Sequence, residues 1–154
     1  MRLSSPVFKE GEEIPKKYTC EGVDISPPLI IEDVPNGTLS LVLFVEDPDA
    51  PSVKPFVHWV VFNIPPDTKE FKEGEAPYNA VEGMNTTNAM GYMGPCPPSG
   101  THRYQFKLYA VNKMLNLFDE TDRKMVLREI EGSIIAQTTL TGVYHKHKMK
   151  RKSY

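Results

Sequence analysis

The sequence predicts an all-β protein. Fourteen prolines and ten glycines are scattered along its 154 residues and cut the chain into short segments. Three runs, 39–46, 56–65 and 102–111, have the length and apolar content of strands. A single stretch, 119–136, shows apolar residues at helical spacing.

In chain order, residues 1–28 read as loops and short extended pieces, leading through Ser26-Pro27-Pro28 into Leu29-Ile30-Ile31. Asn36-Gly37 is a turn signal and opens the run 39–46. That run is apolar on both faces, so it is expected to be central and covered on both sides. It stops at Asp47-Pro48-Asp49-Ala50-Pro51, where proline ends regular pairing. Because side chains alternate along a strand, Asp47 continues the side of Leu41, Leu43 and Val45 and emerges at the edge of the core. In the run 56–65 the same parity places His58 with Val60 and Phe62. Residues 66–90 are polar and without a period, the kind of segment that shapes or covers a binding site.

From Gly91 to Gly100 the chain is packed with Gly and Pro, which excludes a regular helix or a central strand. It then alternates, with His102, Tyr104, Phe106, Leu108 and Ala110 on the buried side and Arg103, Gln105 and Lys107 on the other. An ionisable ring at the mouth of the core beside a stiff loop suits a ligand site, although a buried structural histidine fits the same position. The helix over 119–136 uses Met125, Leu127, Ile130, Ile134 and Ile135, with Asp119 or Thr121 as N-cap and Gly132 as a weak point. A last strand, 137–145, closes the sheet.

The length suits one domain, taken as 1–145, followed by a basic tail, 146–154. Lys146, Lys148, Lys150, Arg151 and Lys152 hold 5 of the 18 basic residues, leaving 13 basic against 20 acidic in the body. The net charge of −2 gives no reason to expect a nucleic-acid partner. No run reaches the apolar length of a membrane span or a signal peptide, so the expected address is the cytoplasm. Cys20 and Cys96 form no Cys-x-x-Cys pair. In a reducing cytosol they are free, and in a hyperthermophile a bond between them is unexceptional.

Three ordered motifs carry a family resemblance. Asp47-Pro48-Asp49-Ala50-Pro51, His58-Trp59-Val60-Val61-Phe62-Asn63 and Gly94-Pro95-Cys96-Pro97-Pro98-Ser99-Gly100-Thr101-His102-Arg103-Tyr104 resemble the signatures of the phosphatidylethanolamine-binding protein family. Its short bacterial and archaeal branch, often called Raf-kinase-inhibitor-like, is the nearest likeness, and Tyr18-Thr19-Cys20-Glu21-Gly22 and Ser26-Pro27-Pro28-Leu29 match it too. The resemblance implies a Greek-key sandwich of two antiparallel sheets with one or two short helices. It also implies an anion pocket at one end, formed by Asp47, Asp49, His58, His102 and the loop with Gly94, Pro97 and Pro98, with Tyr92 and Tyr104 close by. It further implies a phosphate or phosphorylated small molecule or headgroup as ligand, a protease or kinase as protein partner, and a homodimer.

The residues themselves support an anion site, since protonated imidazoles and loop amides attract phosphate oxygens. Asp47 would repel a bare anion, so its expected role is to fix a histidine tautomer and raise the histidine pKa. No cofactor or metal is expected. Asp47, Asp49, His58, His102 and Cys96 are legitimate ligand types without tight spacing, and His145-Lys146-His147 lies in a cationic tail that disfavours a bound cation. A hydrolase using the Asp/His pocket lacks a recognisable nucleophile motif, with Cys96 the one candidate. The expectation is therefore a non-catalytic binding or regulatory module, with serine protease inhibition through a rigid loop as an alternative reading.

Overall fold

The chain order of elements is β1 (Arg2–Ser4), β2 (Leu29–Glu32), β3 (Ser40–Asp47), β4 (Phe56–Ile64), β5 (Glu70–Phe71), β6 (Val81–Glu82), β7 (His102–Val111), α1 (Arg123–Ile130) and β8 (Ile134–Tyr144). The structure, a computed structural model, describes residues 1–147; the basic tail from Lys148 onward lies outside the described residues. Two antiparallel sheets face each other, one ordered β1-β2-β5 and one ordered β6-β4-β3-β7-β8.

The apolar patterns explain the layers. Leu41, Leu43, Val45, Phe106 and Leu108 on one face of the large sheet meet Leu3, Leu29, Ile31 and Phe71 from the small one. Val42, Phe44, Val60 and Phe62 on the opposite face are covered by Leu115 and by Val126 and Ile130 of α1. β3 is thus buried on both sides, as its sequence requires. Its single carboxylate on the helix side, Glu46, is buried and neutralised by Lys107 at 3.1 Å and by the guanidinium of Arg123.

Two readings of the sequence need correction. The helix spans Arg123–Ile130 only, capped by Asp122, whose carboxylate accepts from Met125 N–H at 3.0 Å. Gly132 turns the chain at φ 79°, a left-handed conformation natural to glycine, so Ile134 and Ile135 begin β8 instead of extending the helix. Val126 and Ile130 form the buried stripe, while Met125 is 45% exposed. Residues 66–90 supply β5, which pairs with β2 in the small sheet, and β6, from which the chain runs along the outer edge of β4, with Gly83 N–H on Val60 O and Thr86 N–H on Val57 O. They pair one edge in each sheet; no residue between 66 and 90 lines the cavity described below.

The outer edge of β8 is covered near its end by residues 11–14. Gly11 N–H donates to Thr141 O, Ile14 N–H to Val143 O, and Val143 N–H to Glu12 O. Such cover removes part of an open sheet edge. The close approach depends on Gly142, where a Cβ would lie 2.5 Å from Ile14 Cγ1 and 2.9 Å from Phe8 Cε2. Gly142→Val is expected to cost about 1–3 kcal/mol through overpacking. Urea unfolding reads this directly, and an unchanged midpoint would show that the strap does not need the glycine.

Candidate functional site

The end of β3 and the start of β7 lie side by side, because these strands pair antiparallel from Ser40↔Val111 to Glu46↔Gln105. Asp47 and His102 extend that pairing through their side chains. Asp47 Oδ2 accepts from His102 Nδ1–H at 2.6 Å. Its Oδ1 accepts from Asp49 N–H at 2.7 Å, closing an Asx turn that starts the Asp-Pro-Asp loop. Both groups are nearly out of solvent, at 4% exposure for Asp47 and 7% for His102. Their pairing fixes the tautomer of His102, leaving Nε2 as its uncommitted nitrogen.

His58 reaches the same place by a route that parity does not foresee. In the β3–β4 ladder Val45 pairs with Trp59 but Glu46 pairs with Val57, so His58 is the extra residue of a β-bulge. A second bulge follows near Asn63, which adopts φ 52°. The first bulge turns His58 to the side of Trp59 and Val61, between the sheets, and not to that of Val60 and Phe62. Met93 takes up the backbone released by the bulge. Its N–H donates to His58 O at 2.9 Å, and its carbonyl accepts from His58 Nδ1–H at 2.6 Å. The ring packs edge-on to Tyr104 at 5.3 Å and against Phe56 at 4.9 Å.

These side chains line a cavity of about 220 Å³. Ala50, Pro51 and Ser52 form one rim, Cys96, Pro97 and Pro98 the other, with Tyr104 and Phe56 beside the two histidines. Of the residues expected at the site, Asp47, His58, Pro97, Pro98, His102 and Tyr104 are brought together there. Asp49, Tyr92 and Gly94 are placed behind it. The Asp49 carboxylate receives Arg103 through its backbone N–H, Nε and Nη2, and these bonds hold its pKa down at about 2. Tyr92 donates its hydroxyl to Tyr18 O and packs edge-on against Trp59 at 5.5 Å. Burial pushes its phenol well above the ordinary range. Gly94 N–H is committed to Asp24 Oδ1 at 2.9 Å, so this amide is not free to cradle a ligand. A Cβ at Gly94 would lie 2.5 Å from Tyr18 O, which is why the loop can seat here only with glycine.

Cys20 and Cys96 are joined in a disulfide with Cα atoms 5.4 Å apart. The bond ties the proline loop to the turn after Tyr18, where Cys20 N–H also donates to Pro95 O. Sequence reasoning missed Ala50, Pro51, Ser52, Phe56 and Met93 as lining residues. Their adjacency to Asp49 and His58, and the Gly-Pro content after Gly91, were the available signals.

Burial lowers the pKa of His58 below its ordinary 6.5, outweighing the raising effects of Met93 O and Asp47. Asp47 thus acts on His58 in the expected raising direction, but burial outweighs it and the net shift is downward. The sign for stability follows from linkage. The native ring resists protonation while the unfolded ring gains a proton near pH 6.5, so stability falls as pH drops below about 6.5. One such group contributes at most about 1.4 kcal/mol per pH unit. Urea unfolding between pH 7.5 and 5.5 should show a steeper loss for the wild type than for His58→Gln, and parallel profiles would exclude His58 as the source.

The same arrangement of chain is found in other proteins. The family description "Phosphatidylethanolamine-binding protein" matches residues 4–145. A UPF0098 protein of Methanothermobacter thermautotrophicus is 44% identical over 151 residues, covering 95% of this chain and 99% of the relative. A structure described as a phosphatidylethanolamine-binding protein homologue from Chlamydia trachomatis superposes with a TM-score of 0.90 at 44% identity, covering 94% of this chain and 97% of the other. E. coli YbcL, described as a new member of the mammalian family, superposes with a TM-score of 0.88 at 31% identity over 95% and 98% of the two chains. The chain belongs to the phosphatidylethanolamine-binding protein family.

Proposed function

We propose that this chain is a non-catalytic binding module whose cavity takes the phosphoryl group of a small molecule or headgroup. One observation carries the reading. Both histidine rings of the cavity spend Nδ1–H on protein acceptors, Asp47 and Met93 O, so each can offer only Nε2 to a ligand. Two imidazole nitrogens set in an apolar, proline-rimmed cavity of about 220 Å³ suit a compact polar group of phosphate size. Asp47 acts behind His102, holding its tautomer and supplying a charge-assisted bond, and does not meet the ligand as a free anion. Catalysis has little support here. Cys96, the candidate nucleophile, is oxidised, and among the described residues Ser52 makes no hydrogen bond to either ring. A disulfide at the rim also fits a cytoplasmic address best in a cell that tolerates such bonds, as hyperthermophiles do.

Phosphate binding should be proton-linked. With Nδ1–H donated to the protein, a neutral imidazole has only a lone pair at Nε2, so each contact between Nε2 of His58 or His102 and a phosphate oxygen needs a proton between them. That proton comes from the ring or from the phosphoryl group, whose second ionisation lies near about 6. The complex then holds at least one proton more than its separated partners above neutrality. Affinity is expected to rise as pH falls from 8 to 7, by up to about tenfold for each proton taken up. Calorimetric titration with phosphate, phosphoethanolamine and phosphotyrosine tests this, alongside His58→Ala and His102→Ala. The expected result is proton uptake on binding to the wild type and a loss of roughly tenfold or more in affinity in each variant with the fold retained. Wild-type protein that ignores all three ligands, or variants that bind as well as it does, would refute the reading.

A further inference from the structure

We propose that Glu13, His145 and His147 form a second site, for a borderline divalent transition-metal ion of the zinc type. The three donors come from opposite ends of the sequence. Glu13 sits on the strap over β8, bridged in parallel to Val143 and fixed by Ile14 N–H on Val143 O and Val143 N–H on Glu12 O. His145 and His147 follow β8 at two-residue spacing. One ligand atom from each of the three residues lies within 4.8 Å of the others. Glu13 Oε1 is 2.5 Å from His147 Nε2 and 3.9 Å from His145 Nδ1, and the two rings are 4.7 Å apart between centroids.

The position of His147 is set independently of Glu13. Its backbone N–H donates to Glu21 Oε1 at 2.9 Å, and the same oxygen accepts from Tyr144 OH at 2.6 Å. The Tyr144 ring lies against both imidazoles, at 6.4 Å from His145 and 5.6 Å from His147. The chain after β8 is therefore held over Glu13 by contacts that need no ion.

Two imidazoles and one carboxylate suit zinc, nickel or copper and do not suit magnesium, which demands oxygen ligands. Zinc bonds of about 2.0–2.1 Å place neighbouring ligand atoms roughly 3.3 Å apart in a tetrahedron. The donors here span that separation, and their half-exposed side chains, between 42% and 51% in solvent, can rotate to it and leave a fourth position to water. Without metal, His147 Nε2 and Glu13 Oε1 share a hydrogen bond; metal would replace it as both atoms become ligands, with the imidazole proton carried on Nδ1. The sequence pattern argued against a cation because His145 and His147 flank Lys146. The fold reverses the local balance by bringing in the carboxylates of Glu13 and Glu21, remote in sequence. The site is distinct from the anion cavity. His145 and Lys146 share a separate cavity with the loop 97–101, whose Pro97 and Pro98 also line the phosphoryl site.

The test uses the full chain without an affinity tag. Zinc chloride is titrated calorimetrically at pH 7.5 into wild type, Glu13→Gln, His145→Ala, His147→Ala and His102→Ala. The expected result is one zinc site, weakened roughly tenfold or more in the first three variants and unchanged in His102→Ala. Saturating zinc should also raise the thermal midpoint of the wild type and not that of His147→Ala, each compared with its own metal-free state. Magnesium should produce no heat of binding. Failure of the wild type to bind zinc, equal binding by His147→Ala, or loss in His102→Ala alone would overturn the proposal.

Discussion

The site end of the molecule depends on one buried carboxylate. Asp47 closes the last step between β3 and β7 with a side-chain bond in place of a backbone one, and it starts the following turn with its other oxygen. Without that turn Asp49 would not present its carboxylate to three N–H groups of Arg103, on the outside of the same strand pair. Two acidic residues two positions apart thus serve opposite sides, one oriented to a histidine and one clamped to a guanidinium. Leaving a buried acceptor or donor unpaired here would cost about 1–3 kcal/mol. That constraint ties the geometry of the cavity to the stability of the sheet.

Where the sequence was legible, the reason is regularity. β3 and β7 pair without a register shift, so parity assigns Asp47 and His102 to the inter-sheet side correctly. β4 carries two bulges, and every parity argument across a bulge is inverted. His58 was therefore identified as a site residue through its motif while its side was misassigned. The helix was overextended because Ile134 and Ile135 keep an apolar spacing that a helix shares with the start of a strand. Gly132 decides between the two through a left-handed turn that periodicity cannot see. The pairing of Cys20 with Cys96, 76 residues apart, is a property of the fold and was open in the sequence.

The chemistry of the cavity follows from how its polar atoms are spent. Met93 serves His58 twice, through its N–H and its carbonyl, so the bulge that turns the histidine into the cavity also fixes its tautomer. Tyr92 and Gly94 are spent behind the wall, on Tyr18 O and Asp24, and make the loop rigid. The disulfide adds a covalent tie at Cys96 in the same wall. A cavity built in this way is largely pre-formed, which lowers the ordering cost of taking a small ligand.

The central claim is that both histidines keep Nδ1–H bound to the protein and offer Nε2 to a phosphoryl group. Imidazole nitrogen NMR during a phosphate titration tests it most directly. The account predicts that the Nε2 signals of His58 and His102 move together on binding, while both Nδ1 signals stay in the protonated range. Phosphate that binds without moving either Nε2, or that releases an Nδ1 proton, would contradict it.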